Sequence, residues 1–484
     1  MKYRIFCHVS FLMICQIHIM AQSFEEIYSH FKLEAQNNHI EFRNECNDKY
    51  IQFLRESWKW YEGKAPLPLP KEENTIPPIH FINKGEESPV TITPIDVEPI
   101  DNTPQPKPIE PIRETPTPDD RYFSMGFFGN KCEVRLPELA KLNLNDISPK
   151  SIANAWECLS VDGMNNTIRD CLETRLRYNL CDWAYLMFLD KLSKSYCSNG
   201  NGAILLMAFL YCQSGYQMRL AVDGNRLTML YGSKHQIYDK PYFDLNGTKF
   251  YPYGDISNSI SICDGAFEGE TPLSLMICSE QMLGGGLSEP RRIESAKYKD
   301  ISVRSQTLLE LIEFFNQYPT SSLDNNPMTR WAMYANTPLS RKTKDLIYPA
   351  LKSSIENCSE EEAVNKLLNW VQTGFVYEYD DKVWGYDRAF FAEESLFYPY
   401  CDCEDRSILF SRLVRDLLGL DVALVYYPGH LATAVRFNNH TKGDAVVING
   451  QEFIVCDPTY IGAPVGVQMP GLDYDKAKAI VLGR

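Results

Sequence analysis

The chain has 484 residues, 44% of them hydrophobic and 12% aromatic, with a formal net charge of -15. That is enough apolar material for two or three domains. The acidic balance excludes nucleic acid and anionic membrane surfaces as partners, because both demand basic patches.

Residues 1–21 read as a secretory signal. Lys2 and Arg4 precede an apolar run from Ile5 to Met20, and Met20-Ala21 before Gln22 is a tolerable cleavage site. No later stretch approaches the ~20 apolar residues needed to cross a bilayer. The expectation is an exported protein, periplasmic or extracellular, with no membrane span. Thirteen cysteines remain once Cys7 and Cys15 leave with the signal. An odd number in an exported chain implies a free thiol. Cys171, Cys212 and Cys278 lie in apolar runs and read as reduced core residues.

Residues 22–64 carry one amphipathic helix pattern. Phe24, Tyr28, Phe31, Ala35, Phe42, Cys46, Tyr50 and Phe53 recur at steps near three and four, giving a helix over 24–60 that docks on the body or offers a surface to a partner. Residues 65–119 form a Pro-rich linker. Fourteen of the chain's 29 prolines fall there, so the segment is extended and is expected to hold the helix away from the body. Residues 120–299 form a first α+β domain, with buried helices around Leu186-Met187-Phe188-Leu189 and from Ile204 to Tyr211. Gly284-Gly285-Gly286 is followed by no phosphate-binding pattern and reads as a loop.

Residues 300–484 form a second domain. Leu308, Leu311, Ile312 and Phe315 make one helix face, Ser340 caps a second helix, and Ser359-Glu360-Glu361-Glu362 opens a third that ends at Gly374. Phe375 to Tyr379 reads as a strand. Tyr400-Cys401-Asp402-Cys403-Glu404-Asp405-Arg406-Ser407 then leads into an apolar run ending at Gly419, with Phe410, Leu413, Val414 and Leu417 on one helical face. Asp402 is placed as N-cap, so Cys403 opens a buried helix whose free N–H groups and dipole favour a thiolate. A strand from Val422 to Tyr427 is followed by Pro428-Gly429-His430, and Phe453-Ile454-Val455 leads into Cys456-Asp457-Pro458. Cysteine, histidine and aspartate in that order supply a nucleophile, a base and an orienting acid. Along the strand that presents Asp457, Cys456 points to the opposite face and belongs to the core. Asp405 reads as a helix-start residue.

Cys403-Glu404-Asp405-Arg406-Ser407, Pro428-Gly429-His430 and Cys456-Asp457-Pro458-Thr459 together resemble the transglutaminase-like superfamily of papain-type cysteine enzymes, over roughly residues 359–461. Where that family has glycine two residues before the nucleophile, this chain has Cys401. The helices before the Cys403 helix and the small antiparallel sheet after it fit the α+β papain-like layout. The resemblance implies an exported cysteine peptidase or transglutaminase-like hydrolase. Cys403 would attack an amide or peptide bond of a protein or peptide substrate to form a thioester, aided by His430 and Asp457. The backbone N–H of Cys403 would meet the oxyanion, with Gln372 or Trp384 as the further donor. No cofactor and no metal are expected. Three other readings stay open: a buried structural thiol at Cys403, a zinc site of Cys401, Cys403, His430 and Cys456, and a non-catalytic transglutaminase-like binding or envelope-assembly protein.

The first domain matches the second at an offset of 204. Tyr196-Cys197 meets Tyr400-Cys401, Ile204-Leu205 meets Ile408-Leu409, Gly215 meets Gly419, and Asn246-Gly247 resembles Asn449-Gly450. At the functional positions Asn199 replaces Cys403 and Arg226 replaces His430. The pattern fits either a degenerate copy, which could do no thiol chemistry, or an unrelated domain with chance matches.

Overall fold

A computed structural model describes residues 41–483 except 57, 72–74, 84–87, 100–120 and 324–325. The signal segment 1–21 lies outside the described residues. The fold is α+β, with two large sheets and a core that runs through both halves from Tyr50 to Leu482. No described helix is long and apolar enough to cross a membrane.

Three short strands come from the segment before residue 100: β1 (Lys59–Glu62), β2 (Thr91–Ile92) and β3 (Asp96–Pro99). The first half supplies helix α1 (Gly200–Gln213) and strands β4 (Met218–Asp223), β5 (Arg226–Ser233), β6 (Phe243–Leu245), β7 (Thr248–Pro252) and β8 (Ser259–Ile262). The second half supplies helices α2 (Glu360–Gly374) and α3 (Cys403–Leu418). After them come β9 (Asp421–Tyr427), β10 (His430–Arg436), β11 (Ala445–Ile448), β12 (Gln451–Cys456) and β13 (Lys478–Val481). The first sheet runs β1-β8-β4-β5-β7-β6 and the second β2-β11-β12-β10-β9-β13-β3.

The two sheets share one inner topology. Counted from the helix that precedes each, β8-β4-β5-β7-β6 has the order of β13-β9-β10-β12-β11, and every neighbouring pair is antiparallel. The first hairpins also share their register. The β4–β5 hairpin closes on Asp223 opposite Arg226, and the β9–β10 hairpin on Tyr427 opposite His430. Arg226 therefore stands at the topological position of His430.

The local signals explain the helices. Asn199 caps α1 by accepting the Gly202 amide, and nearly every α1 residue from Gly202 on is buried, as an all-apolar helix requires. Ser340 and Ser359 cap the helices Arg341–Ile355 and α2 through the amides of Thr343 and Glu362. Gly419 ends α3 in the left-handed region at φ 67°. Of Phe375 to Tyr379 only Val376–Tyr377 is strand, paired in parallel with Tyr400–Cys401.

Three boundaries move. The helix read over 24–60 covers 41–55 among the described residues, with 24–40 lying outside them, and Lys59–Glu62 is strand β1. Its inner face is already occupied: Tyr50 packs on Trp156 and Phe267, and Asn47 accepts hydrogen bonds from Trp156 and Gln213. The described part of that face is thus spent on the protein's own body. The Pro-rich segment is no spacer over its described residues. It adds β2 and β3 to the two edges of the second sheet, positions where missing N–H donors are tolerated. Finally, the division at 299/300 cuts the hairpin of Arg291–Glu294 with Ser302–Ser305, which belongs with the second half. Trp370 donates to the Ile293 carbonyl, and Ser295 to the Asn369 side chain.

Candidate active site

Cys403 is the first residue of α3 and is 3% exposed. A capping box fixes the turn before it: Asp402 accepts the Asp405 amide, and Asp405 accepts those of Asp402 and Phe390. Asp405 is therefore the helix-start residue its position suggested. Ser407 on the next turn donates to the Leu431 carbonyl at 2.9 Å, tying α3 to β10, and the Leu431 amide reaches the Cys403 sulfur. That amide belongs to the residue after His430, so the tie sets the thiol against the start of β10.

His430 opens β10 after the turn at Gly429, whose φ of 77° suits glycine. Its Nε2 lies 2.8 Å from Asp457 Oδ2, and both side chains are almost completely buried. Asp457 directly follows β12, and its Oδ1 accepts the amides of Thr459 and Tyr460 at 2.8 and 3.2 Å. Asp457 is thereby fixed from behind and holds the ring from one side. His430 Nδ1 has no hydrogen-bond partner among the described residues. Cys403 and His430 both line a pocket of about 220 Å³, together with Arg330, Trp331, Asp387, Glu404 and Tyr426.

Electrostatics oppose a resting thiolate. Burial pushes the Cys403 thiol well up, the negative charges of Glu404 and Asp402 add to that, and the sulfur donates to Glu404 Oε2 at 3.2 Å. The helix N-terminus does not outweigh two carboxylates beside it, so the thiolate expected from position alone is corrected to a thiol. Burial also raises Glu404, helped by Asp387 and opposed by Arg330, to about 7. Arg330 meets both oxygens of Asp387 at 2.8 and 2.9 Å.

No family model, no curated protein and no solved structure matches this chain.

Of the residues read from the sequence, Cys403 and His430 share the pocket and Asp457 backs His430. The two expected oxyanion donors are not there. Gln372 is 1% exposed and its amide donates to the carbonyls of Asp457, Tyr460 and Ala463 at 3.0, 2.8 and 3.0 Å, while its Oε1 accepts the Gly462 amide. Its hydrogens are consumed in bracing the Asp457 loop, which makes it a positioning residue. Trp384 sits outside the pocket with the Arg388 guanidinium 4.1 Å over its ring, in a cluster with Phe390, Tyr398 and Tyr400. Cys401 lies in the short strand beside Arg406, and burial pushes it up to about 11. Cys456 is core. Among the described residues, the clusters close enough to hold a metal include neither Cys401, His430 nor Cys456, so the zinc arrangement does not form. Cys171 and Cys212 are buried free thiols as expected, whereas Cys278 is exposed.

Trp331 was not read from the sequence. It lines the pocket, and its buried Nε1 has no hydrogen-bond partner among the described residues. It stands in the helix Pro327–Asn336, more than 70 positions before Cys403, so no local spacing points to it. Pro70, Lys71 and Thr75 also line the pocket, because the segment expected to be a spacer crosses it: the Asp387 amide donates to the Pro70 carbonyl and the Ile76 amide to that of Gly429.

The matching place in the first half is filled by chain. Asn199 donates to the side chains of Asn143 and Asn145 and to the Leu144 carbonyl. A Cβ on Gly202 would stand 2.6 Å from the Leu142 carbonyl oxygen. Arg226 points outward to Asp223.

Proposed function

We propose that the chain is an exported cysteine-dependent acyl-transfer enzyme, transglutaminase-like with a papain-type catalytic half, that cleaves amide or peptide bonds through a thioester. The observation that carries the reading is His430, held by Asp457 on Nε2 and unpartnered on Nδ1, in one pocket with Cys403. On this reading the Cys403 proton passes to His430 Nδ1 as sulfur attacks the carbonyl carbon. The oxyanion meets the Cys403 backbone N–H and Trp331 Nε1. Imidazolium then protonates the departing amine as the C–N bond breaks, leaving the thioester. Water, deprotonated by His430, attacks that thioester and releases the acid with the thiol restored. Asp457 keeps the ring oriented throughout, without taking the proton. A protein or peptide is the substrate class, and hydrolysis is favoured over transfer to a second amine.

A second reading is a non-catalytic transglutaminase-like binding or envelope-assembly protein. The buried, acid-flanked thiol of Cys403 favours it. Iodoacetamide labelling of the full chain, mapped by mass spectrometry, separates the two. Selective, pH-dependent labelling of Cys403 that is lost in Cys403→Ala and kept in Cys401→Ala supports the enzyme. A Cys403 no more reactive than Cys401 at any pH, with no amidase activity, supports the binding protein.

A further inference from the structure

Four carboxylates converge beside the Cys403 pocket from three places in the chain. Asp380 opens the short helix Asp380–Val383, Asp387 lies in the loop after it, and Asp402 and Glu404 flank Cys403. Oxygens of Asp380, Asp387 and Glu404 lie within 4.8 Å of one another, and the Glu404 group is equally close to Asp402 and the Cys403 sulfur. All four residues are at least nine-tenths buried. Arg330 is committed to Asp387, and Arg388, the next residue, is taken by Glu394. One guanidinium cannot balance four acids at this separation in a water-poor site.

A separate observation points to a ligand. Asp402 is 1% exposed; its Oδ1 is used in capping α3, yet its buried Oδ2 has no hydrogen-bond partner among the described residues. The Glu404 carboxylate beside it offers no N–H, and the two acids hydrogen-bond only by sharing a proton. A buried carboxylate oxygen left in that state calls for a cation or a proton. Asp387 and Glu404 line the pocket, so an ion has a way in.

We propose that Asp380, Asp387, Asp402 and Glu404 form a binding site for a hard divalent cation next to Cys403. The donors are carboxylate oxygens, which suit calcium, magnesium or manganese better than thiophilic metals. The site stands whether or not Cys403 is catalytic.

The test uses the chelator-treated full chain, melted in CaCl2, MgCl2 and MnCl2, with equilibrium dialysis to count bound ion. The expected result is about one ion per chain and a melting temperature raised by roughly 3 °C at a hundredfold excess over Kd, for at least one of the three. Asp380→Asn and Glu404→Gln should each reduce that shift to near zero while melting cooperatively, and Glu378→Gln on the surface should retain it. No bound ion and an unchanged melting temperature with all three salts overturn the proposal. So does an unaltered shift in both cluster variants. A shift produced by n-butylamine and by none of the metals also overturns it and makes the cluster a pocket for an ammonium group.

Discussion

Replacing Gln372 by leucine tests the claim that a buried amide, remote from the thiol, sets the position of Asp457. Leucine keeps the volume but removes every polar contact. The carbonyls of Asp457, Tyr460 and Ala463 lose their donor, and the Gly462 amide loses its acceptor. A buried group left unsatisfied costs about 1–3 kcal/mol. Two amide hydrogens serve three carbonyls and the Gly462 amide is only part-buried, so the sum is discounted to about 4 kcal/mol. For a body of this size that is a fall in melting temperature of roughly 4 °C, readable by circular dichroism. The pH dependence of Cys403 alkylation should move in the same sense as in Asp457→Ala, because the loop that holds the histidine's partner has relaxed. A purely structural brace would lower the melting temperature and leave that pH profile in place. A fall of under ~2 °C would refute the argument that these four bonds are what fix the loop.

Further outcomes are expected. Glu404→Gln removes a negative charge that raises the Cys403 thiol, so alkylation of Cys403 should begin at lower pH; no shift, or one to higher pH, contradicts the electrostatic account. His430→Ala should abolish turnover of a peptide amide and raise the pH of Cys403 alkylation, and an unaltered profile would remove His430 from the base role. Buried His235 has its pKa lowered to about 4 by burial. A depressed histidine contributes stability that is present above its unfolded value of ~6.5 and is lost as pH falls towards 4. Denaturant midpoints measured from pH 7 to 4 should therefore fall less steeply in His235→Leu than in the parent chain. Gly200→Ala should stabilise by roughly 0.5–1 kcal/mol, because its Cβ meets nothing within 4 Å. Gly202→Ala, two residues on, should lower the melting temperature instead.

What could be read from the sequence was local chemistry. Caps at Ser340, Ser359, Asn199 and Asp402, the stop at Gly419 and the placing of Cys403, His430 and Asp457 at element ends all follow from short-range rules. The roles assigned across long separations did not. Gln372 and Trp384 are upstream donors by type, but an amide goes where carbonyls are, and the loop after Asp457 presents those. Trp331 carries no spacing signal because its helix reaches the pocket only through tertiary packing. The thiolate inference failed for a similar reason: the dipole is a property of one helix, while Glu404 and its neighbours act by burial, which the sequence does not display. Prolines marked residues 65–119 as extended, which the described part is. Composition could not say that an extended segment would find two sheet edges to lie on.

The shared topology gives these differences a direction. Each half places a helix N-terminus against the first residues of a hairpin, and in each half another stretch of chain crosses that point. In the first half residues 142–145 fill it, and two changes make this possible: glycine at 202 admits the Leu142 carbonyl, and Asn199 donates to the Leu144 carbonyl and accepts the Leu144 amide of the crossing chain. The side chain that would face a substrate is turned outward as Arg226. In the second half Pro70, Lys71 and Thr75 line the matching place without filling it, and space of about 220 Å³ is left with a thiol and an imidazole on its wall. A protein that needed the fold only for stability would gain by closing the second gap as it closed the first. Keeping it open also keeps His430, Asp457 and four carboxylates buried around it, each at a cost in desolvation. Such a cost is sustained most readily where the pocket receives a ligand.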